Sequence, residues 1–240
     1  MTGPNVIGAT GGSGTRVVAH IARQAGMFIG KRLNRADDAL AFGDFSDAWI
    51  NRYLTDGPTE EMRAELDRVV TEHLAARKAK QAAWGWKEPR SIYLLPFLHE
   101  AMPSLRFLHV IRDGRDMAFS ANQFQPAKHG DAALGDREYE TEQERSIALW
   151  AQVNTRAAGY GETALGDAYL RLRFEDLCAE PEQNVERLLA FFGLEGNARK
   201  LAHKEVKPPD SLGRYRAEDQ ELVARLEQIA AEALARFGYA

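Results

Sequence analysis

The sequence predicts an α/β fold in which a central, mostly parallel sheet is covered by helices on both faces. Short apolar segments of strand length alternate with amphipathic segments of helical period, and two of the strand candidates run directly into a turn that opens a helix. Strands separated by helices form parallel sheets, because each crossover helix packs back onto the sheet. No linker, charge block or repeat divides the 240 residues, so we expect one domain over residues 1–240.

The first half of the chain contains two predicted strands. Asn5 to Ala9 is short and apolar, and it runs into the glycine-rich turn from Thr10 to Thr15. Apolar residues then recur at helical spacing from Val17 to Ala25. An amphipathic helix is predicted from Pro58 to Gln81, and a second strand from Ala83 to Lys87.

The middle of the chain contains the strongest buried-strand candidate, Leu105 to Ile111. The segment before it, Tyr93 to Ala101, is predicted to be helical despite Pro96. After the strand, residues Gln123 to Arg137 are mixed in character and contain glycine, which favours a mobile loop. A helical pattern resumes from Glu138 to Tyr160.

The last third contains one more strand and two more helices. Tyr169 to Phe174 alternates as a short strand, and Pro181 to Phe192 is predicted as a helix that Gly193 ends. Lys204 to Arg216 is rich in proline and glycine and is predicted as a loop. A final amphipathic helix is expected from Glu218 to Phe237.

Composition excludes several classes of function. The net charge of -4 argues against nucleic-acid binding, which needs a basic surface. No apolar stretch approaches the roughly 20 residues that a membrane span needs, and residues 1–10 do not resemble a secretory signal, so we expect a cytoplasmic protein. Cys178 is the only cysteine, which rules out an internal disulfide and most zinc sites, and we expect it to act as a small buried hydrophobe.

The glycine-rich turn is suited to binding a phosphate. It places amide hydrogens at a helix amino terminus, where the unpaired N–H groups and the helix dipole both favour an anion. The residues expected at the anion are Gly11, Gly12, Ser13, Gly14, Thr15 and Arg16. A tight strand-to-helix turn with a Ser or Thr cap is the alternative. The turn lacks the Gly-Lys-Ser/Thr ending of nucleotide triphosphate loops, which disfavours ordinary ATP chemistry.

A second strand-to-helix turn begins at Arg112. Ser120 follows eight residues later, a spacing that would place it about two turns into the next helix. Arg112 and Ser120 could together bind another phosphate, because a guanidinium binds phosphate bidentately. The alternative is that Arg112 or Arg115 forms a surface ion pair with Asp113 or Asp116.

The combination of these motifs resembles sulfotransferases that use 3′-phosphoadenosine-5′-phosphosulfate (PAPS). Residues 11–16 look like the loop that binds the 5′-phosphosulfate, and Arg112 with Ser120 matches the 3′-phosphate signature. Trp86 to Pro89 is similar to a segment of the tyrosylprotein branch, and Arg173 to Leu177 to a late strand-to-helix element.

The last landmark of this resemblance lies near residue 216, so the similarity covers most of the chain. Ser211 to Arg216 is similar to a carboxy-terminal nucleotide loop of bacterial members, which adds Ser211, Gly213 and Arg214 to the nucleotide-binding residues. The resemblance implies a P-loop-type three-layer fold with PAPS as co-substrate and adenosine 3′,5′-bisphosphate as product. The acceptor would be a small molecule, a carbohydrate or a peptide.

One position departs from the family pattern. Many members carry Lys or Arg immediately before the loop serine, where this chain has Gly12. Arg16 and Lys87 are the available replacements, and the resemblance places a catalytic lysine at Lys87. The alternatives are a solvated Arg16 and a Lys87 that pairs with Glu88.

The general base is harder to identify. His109 alternates with core residues inside a strand, which favours a structural role. Asp37 and Asp38 lie roughly where the tyrosylprotein branch keeps its acidic base, and we choose Asp38. The alternative is that one of them lies in the first turn of the next helix, where the dipole favours a carboxylate.

The resulting hypothesis is an in-line sulfuryl transfer without a metal. Asp38 would accept the proton of the acceptor, and the loop amides with Arg16 and Lys87 would stabilise the developing charge. Two alternatives stay open: a P-loop small-molecule kinase and a nucleotide-binding module that has lost catalysis. Neither the acceptor nor the oligomeric state can be predicted from the sequence.

Overall fold

A computed structural model describes residues 3–78, 81 and 83–240. Within these ranges, four strands form one sheet in the order β2-β1-β3-β4. The strands are β1 (Asn5–Ala9), β2 (Gly85–Lys87), β3 (Arg106–Ile111) and β4 (Tyr169–Arg173). All three pairings are parallel, and Val6 of β1 is in register with Trp86 of β2 and Phe107 of β3. The predicted parallel sheet is confirmed.

Helices connect and cover these strands. The α-helices of the described chain are α1 (Thr15–Gln24), α2 (Leu40–Asp56), α3 (Glu60–Ala75), α4 (Leu95–Ala101), α5 (Gly114–Ala118), α6 (Phe124–Leu134), α7 (Glu142–Tyr160), α8 (Phe174–Ala179), α9 (Pro181–Phe192), α10 (Ala198–Glu205), α11 (Gln220–Ile229) and α12 (Ala231–Phe237). Short 3-10 segments occur at Pro89–Leu94, Gly166–Ala168 and Arg214–Ala217, and a π turn at Gly161–Leu165.

Alternate residues of the strands face two separate cores. Val6 and Phe107 pack into a cluster with α2, α3, α4 and α7, whereas Ile7 and Leu108 pack into a cluster with α1, α8, α9 and α10. Successive side chains of a strand point to opposite faces of the sheet, so each face carries its own layer of helices. The predicted three-layer arrangement is confirmed.

Two of the helices before β3 begin two residues after their predicted starts, α3 at Glu60 and α4 at Leu95. Thr59 caps α3, with its hydroxyl accepting a hydrogen bond from the Met62 amide at 3.1 Å. This helix ends at Ala75, short of the predicted Gln81, and residues 79 and 80 lie outside the described residues. Pro96 lies in the first turn of α4, where the missing N–H removes no helical hydrogen bond.

The predicted mobile loop from Gln123 to Arg137 is wrong, because most of it forms α6. This helix is held by its neighbours: His129 Nδ1 lies 2.7 Å from Asn51 Oδ1 of α2, and the Arg145 guanidinium of α7 packs against Gly130. These tertiary contacts outweigh the low helical propensity of glycine.

The carboxy-terminal prediction also needs correction. Instead of one helix from Glu218 to Phe237, α11 and α12 are separated at Ala230, which has a non-helical φ of -111°. The predicted loop from Lys204 to Arg216 is shorter than expected, because α10 continues to Glu205 and a 3-10 turn begins at Arg214. The α7 helix starts at Glu142 rather than Glu138, after its cap Thr141.

Two expectations from composition can be compared with the fold. Cys178, expected to act as a small buried hydrophobe, packs partly buried against the core cluster of α1, α8, α9 and α10. In the part of the chain that the structure describes, no helix has both the length and the apolar character to cross a bilayer.

Candidate active site

A cavity of about 680 Å³ opens at the carboxyl ends of the strands. It lies where β1 has neighbours on both sides, the position at which parallel sheets collect their ligands. The predicted site residues on its wall are Gly11, Gly12, Gly14, Thr15, Arg16, Asp38, Lys87, Arg112 and Ser211. Four other predicted residues do not line the cavity: Ser13, Ser120, Gly213 and Arg214.

The glycine-rich turn has the backbone shape that its sequence predicts. Gly12 and Gly14 have φ values of 85° and 86°, which side chains other than glycine rarely adopt. A Cβ on Gly14 would lie 2.2 Å from the ring of Phe174, so α8 packs directly against the turn. The amide groups of the first turn of α1 therefore face the cavity at a helix amino terminus.

The two polar side chains of the turn differ in their roles. Thr15 lies on the cavity wall, as expected. Ser13 is fully buried, and its hydroxyl donates to the carbonyl oxygen of Thr10 at 2.7 Å. In this arrangement the Ser13 hydroxyl stabilises the turn itself.

Arg16 lies at the start of α1, exposed at the cavity. It forms no ion pair within the described ranges. An arginine at this place is free to contact an anion bound at the turn.

Lys87 and Asp38 meet on the cavity wall. Lys87 ends β2 with its side chain 3% exposed, and its ammonium pairs with the Asp38 carboxylate and donates to the carbonyl of Ala36 at 2.9 Å. The alternative pairing of Lys87 with Glu88 is wrong, because Glu88 pairs with Arg90 at 2.6 Å. The predicted cation and the predicted base are thus in direct contact.

Asp38 precedes its helix rather than lying within it. The α2 helix begins at Leu40, with Ala39 as its cap, so the alternative of a carboxylate in the first helical turn is wrong. The Asn34 amide donates to the Asp38 carboxylate at 2.7 Å. Asn34 and Lys87 together orient this carboxylate at the cavity.

Arg112 directly follows β3 and is buried at the cavity wall. Its guanidinium donates to Asp116 Oδ2 at 2.9 Å, to the Ser211 hydroxyl at 3.2 Å and to the Ser211 carbonyl. Its Nε has no hydrogen-bond partner within the described chain. Asp116 was indeed one of the alternative partners, but this pair is buried rather than on the surface.

Asp116 is a functional residue that the sequence reasoning missed. It is 1% exposed and also accepts from the Gly213 amide at 2.8 Å and from the Tyr215 amide at 3.4 Å. It therefore fixes the carboxy-terminal loop against the turn that carries Arg112. The spacing of four residues from Arg112, which favours an ion pair on a helix, was the available signal.

Ser120 differs from its expected position. Because α5 ends at Ala118, Ser120 lies beyond the helix rather than two turns into it. Its hydroxyl accepts from the Asn122 amide at 3.2 Å and lies close behind Gly12. Arg214 donates to the carbonyls of Phe119 and Ser211, both at 3.3 Å, and so links this segment to the carboxy-terminal loop.

His109 is a structural residue, as predicted. It is fully buried, with Nδ1 2.7 Å from the Tyr169 hydroxyl and Nε2 2.7 Å from Asn154 Oδ1. Burial lowers the pKa of His109 to about 4, so the ring is neutral near pH 7.

The sequence reasoning also missed four residues that line the cavity: Asp47, Glu88, Arg90 and Phe124. Glu88 is buried, and desolvation raises the pKa of its carboxyl, opposed by Arg90. Arg90 pairs in addition with Asp47 of α2. Phe124 of α6 leaves its ring 52% exposed. These lining residues are mixed in character, and the cations Arg16, Lys87, Arg112 and Lys207 line the same cavity.

The described residues contain no cluster of His, Cys, Asp and Glu side chains that could hold a metal ion. The cavity wall itself offers cations, the backbone amides of a helix amino terminus and the carboxylate of Asp38, which pairs with Lys87.

The geometry can be compared with known proteins. The family model described as the sulfotransferase family matches residues 15–198. The solved structure of the sulfotransferase STF9 from Mycobacterium avium superposes with a TM-score of 0.62 at 10% identity, covering 97% of this chain and 76% of that one. The sulfotransferase domain of the olefin synthase from Synechococcus PCC 7002 has a TM-score of 0.59 at 16% identity, covering 100% and 97%.

A third similar structure was crystallised with a nucleotide. Retinol dehydratase, in complex with androsterone and the inactive cofactor PAP, has a TM-score of 0.50 at 13% identity, covering 96% of this chain and 80% of that one. At these identities the solved structures show a shared fold. No curated protein matches the chain in sequence.

Proposed function

The chain belongs to the sulfotransferase family, and we propose that it transfers a sulfuryl group from PAPS to a hydroxyl or amine of its acceptor, releasing adenosine 3′,5′-bisphosphate. One observation carries the proposal: the glycine-rich turn, Arg112, Lys87 and Asp38 line the same cavity. The complex of retinol dehydratase with PAP supports a co-substrate of the PAPS type. The cytoplasmic location and the single domain expected from the sequence are part of this proposal.

On the donor side, two anion sites would hold the nucleotide. The amides of residues 11–15 and the dipole of α1 bind the 5′-phosphosulfate. Arg112 binds the 3′-phosphate, and its buried Nε without a partner within the described chain supports this role, since such a group is costly unless a ligand satisfies it. The segments around the nucleotide are held in place by hydrogen bonds of Ser120, Ser211, Gly213 and Arg214.

The reaction then needs a charge stabiliser and a base. The acceptor oxygen or nitrogen attacks sulfur as the bond to the bridging phosphate oxygen breaks, and Lys87 and Arg16 stabilise the charge that develops on the departing bisphosphate. Asp38 accepts the proton of the acceptor. Lys87 is placed to act in both the charge stabilisation and the proton transfer, because it pairs with Asp38 and lines the cavity.

The test is a transfer assay with PAPS carrying labelled sulfate. We expect label to appear on at least one member of a library of phenols, sugars, peptides and amines, and we expect a metal chelator to leave the rate unchanged. Phosphate transfer from ATP with a strict magnesium requirement would instead establish a kinase. Binding of adenosine 3′,5′-bisphosphate without any transfer would establish an inactive binding module.

Arg112→Ala is expected to remove most of the preference for adenosine 3′,5′-bisphosphate over AMP. A lost charged hydrogen bond is worth about 1.5–3 kcal/mol, which corresponds to roughly ten- to hundredfold in affinity. Calorimetry with both nucleotides measures the effect. Arg225→Ala is the matched control, since Arg225 pairs with Glu144 away from the cavity. Equal affinity of the wild type for the two nucleotides would contradict the assignment.

A further inference from the structure

Asp37 is conformationally unusual. It is the only non-glycine residue of the described chain with a positive φ, 61°. Its amide donates to the Asn34 carbonyl at 3.1 Å, and the Asn34 side chain accepts from the amides of Ala36 and Asp38 at 2.8 and 2.9 Å. A left-handed conformation at such a residue persists only when the surroundings hold it.

The carboxylate of Asp37 is held by α1. It lies 2.5 Å from Arg23 Nη1 and 2.6 Å from His20 Nε2, and both partners belong to that helix. His20 Nδ1 in turn lies 3.2 Å from Glu205 of α10. Because α1 begins at the glycine-rich turn, Asp37 links the loop of residues 34–39 to the helix whose first turn faces the bound donor.

Asp37 and Asp38 face in different directions. Asp37 is 8% exposed and is engaged by α1, away from the cavity wall, whereas Asp38 lies on that wall and pairs with Lys87. Because Asp37 is left-handed, the backbone carbonyl of Ala36 and the carboxylate of Asp38 can both accept hydrogen bonds from the Lys87 ammonium. The position of the base relative to the donor therefore depends on the link through Asp37.

We propose that Asp37 is a positioning residue for sulfuryl transfer: its ion pair with Arg23 and its contact with His20 fix the distance between the base Asp38 and the donor that α1 holds. This inference rests on the proposed function. It assigns Asp37 no contact with either substrate, so its effect should fall on turnover and not on nucleotide binding.

The variant Asp37→Gly tests the contacts of the Asp37 carboxylate separately from the backbone conformation at this residue. Glycine adopts positive φ freely, so this variant keeps the conformation of the loop and removes only the carboxylate. We expect turnover to fall by about tenfold or more, because a small misplacement of a reacting group can cost up to roughly a hundredfold. Affinity for adenosine 3′,5′-bisphosphate, measured by calorimetry, should change less than about threefold. Arg23→Gln, which weakens the same link from α1, should lower turnover in the same direction.

A double variant tests whether Asp37 acts through Asp38. In an Asp38→Asn background, Asp37→Gly should reduce turnover no further, because two residues that act as one unit give non-additive effects. Turnover is measured with labelled PAPS and the best acceptor of the library above. An additive loss, or a normal turnover of Asp37→Gly, would overturn the positioning role while leaving the proposed function intact. A wild type that transfers no sulfate to any acceptor would instead overturn the proposed function, and this inference with it.

Discussion

A Lys87→Met variant is expected to turn over at least about a hundredfold more slowly than the wild type, with its affinity for adenosine 3′,5′-bisphosphate changed less than about tenfold. Methionine keeps the apolar stem of the side chain and removes the ammonium. A preorganised donor aimed at a developing charge contributes chiefly in the transition state, so its loss lowers turnover more than ground-state affinity. Single-turnover kinetics with labelled PAPS, together with calorimetry, separate the two effects.

Lys87→Met also removes the ion pair with Asp38, so its control must be a lysine variant that loses a comparable ion pair. Lys128→Met also removes a lysine that pairs with an aspartate, Asp47, but Lys128 lies outside the cavity wall. We expect this control to keep near-normal turnover. Near-normal turnover of Lys87→Met would refute the catalytic role of Lys87 and leave Arg16 with the loop amides as the charge stabilisers.

Replacing Asp38 with asparagine is expected to lower turnover by about 10²–10⁴-fold, the range of general-base catalysis, with little change in PAPS affinity. Asparagine has nearly the same shape, but its single acceptor oxygen can keep the hydrogen bond from Asn34 or the one from Lys87 and not both, so the variant also loses the ion pair with Lys87. The measurement is turnover at saturating PAPS, compared with the Kd of adenosine 3′,5′-bisphosphate.

Asp131→Asn is the matched control for this experiment. Asp131 is an exposed carboxylate that pairs with Arg145, so we expect its loss to leave turnover unchanged. Unchanged turnover in Asp38→Asn would move the base elsewhere on the wall. Glu88 would then be the next residue to test, because it is a buried carboxylate beside Lys87 whose pKa is raised by desolvation.

The strands and the two strand-to-helix turns could be predicted because their signals are local. The run from Asn5 to Ala9 is buried on both faces, and such strands appear in a sequence as short apolar segments bounded by turn residues. The positive φ values of Gly12 and Gly14 likewise follow from the residue type. These features depend on a few neighbouring residues and not on the rest of the chain.

Contacts between distant segments could not be predicted. The sequence places Lys87 at a strand end and Asp38 in a loop, but nothing local shows that their side chains meet. The helix α6 was missed for a related reason, because its contacts with Asn51 and Arg145 come from other helices. Asp116 was considered only as a surface partner, since its contacts with Gly213 and Tyr215 span almost a hundred residues.

The residues that line the cavity come from different kinds of element, and this has a consequence for how new acceptor specificities arise. Lys87 ends β2 and Arg112 follows β3, which are buried strands where a substitution disturbs both helical layers. Asp47 and Phe124 belong to α2 and α6, and both are exposed at the cavity. Exposed positions away from the core tolerate exchange at little cost in stability. Directed evolution confined to these two helices should therefore recruit new acceptors while the machinery for the donor is inherited unchanged.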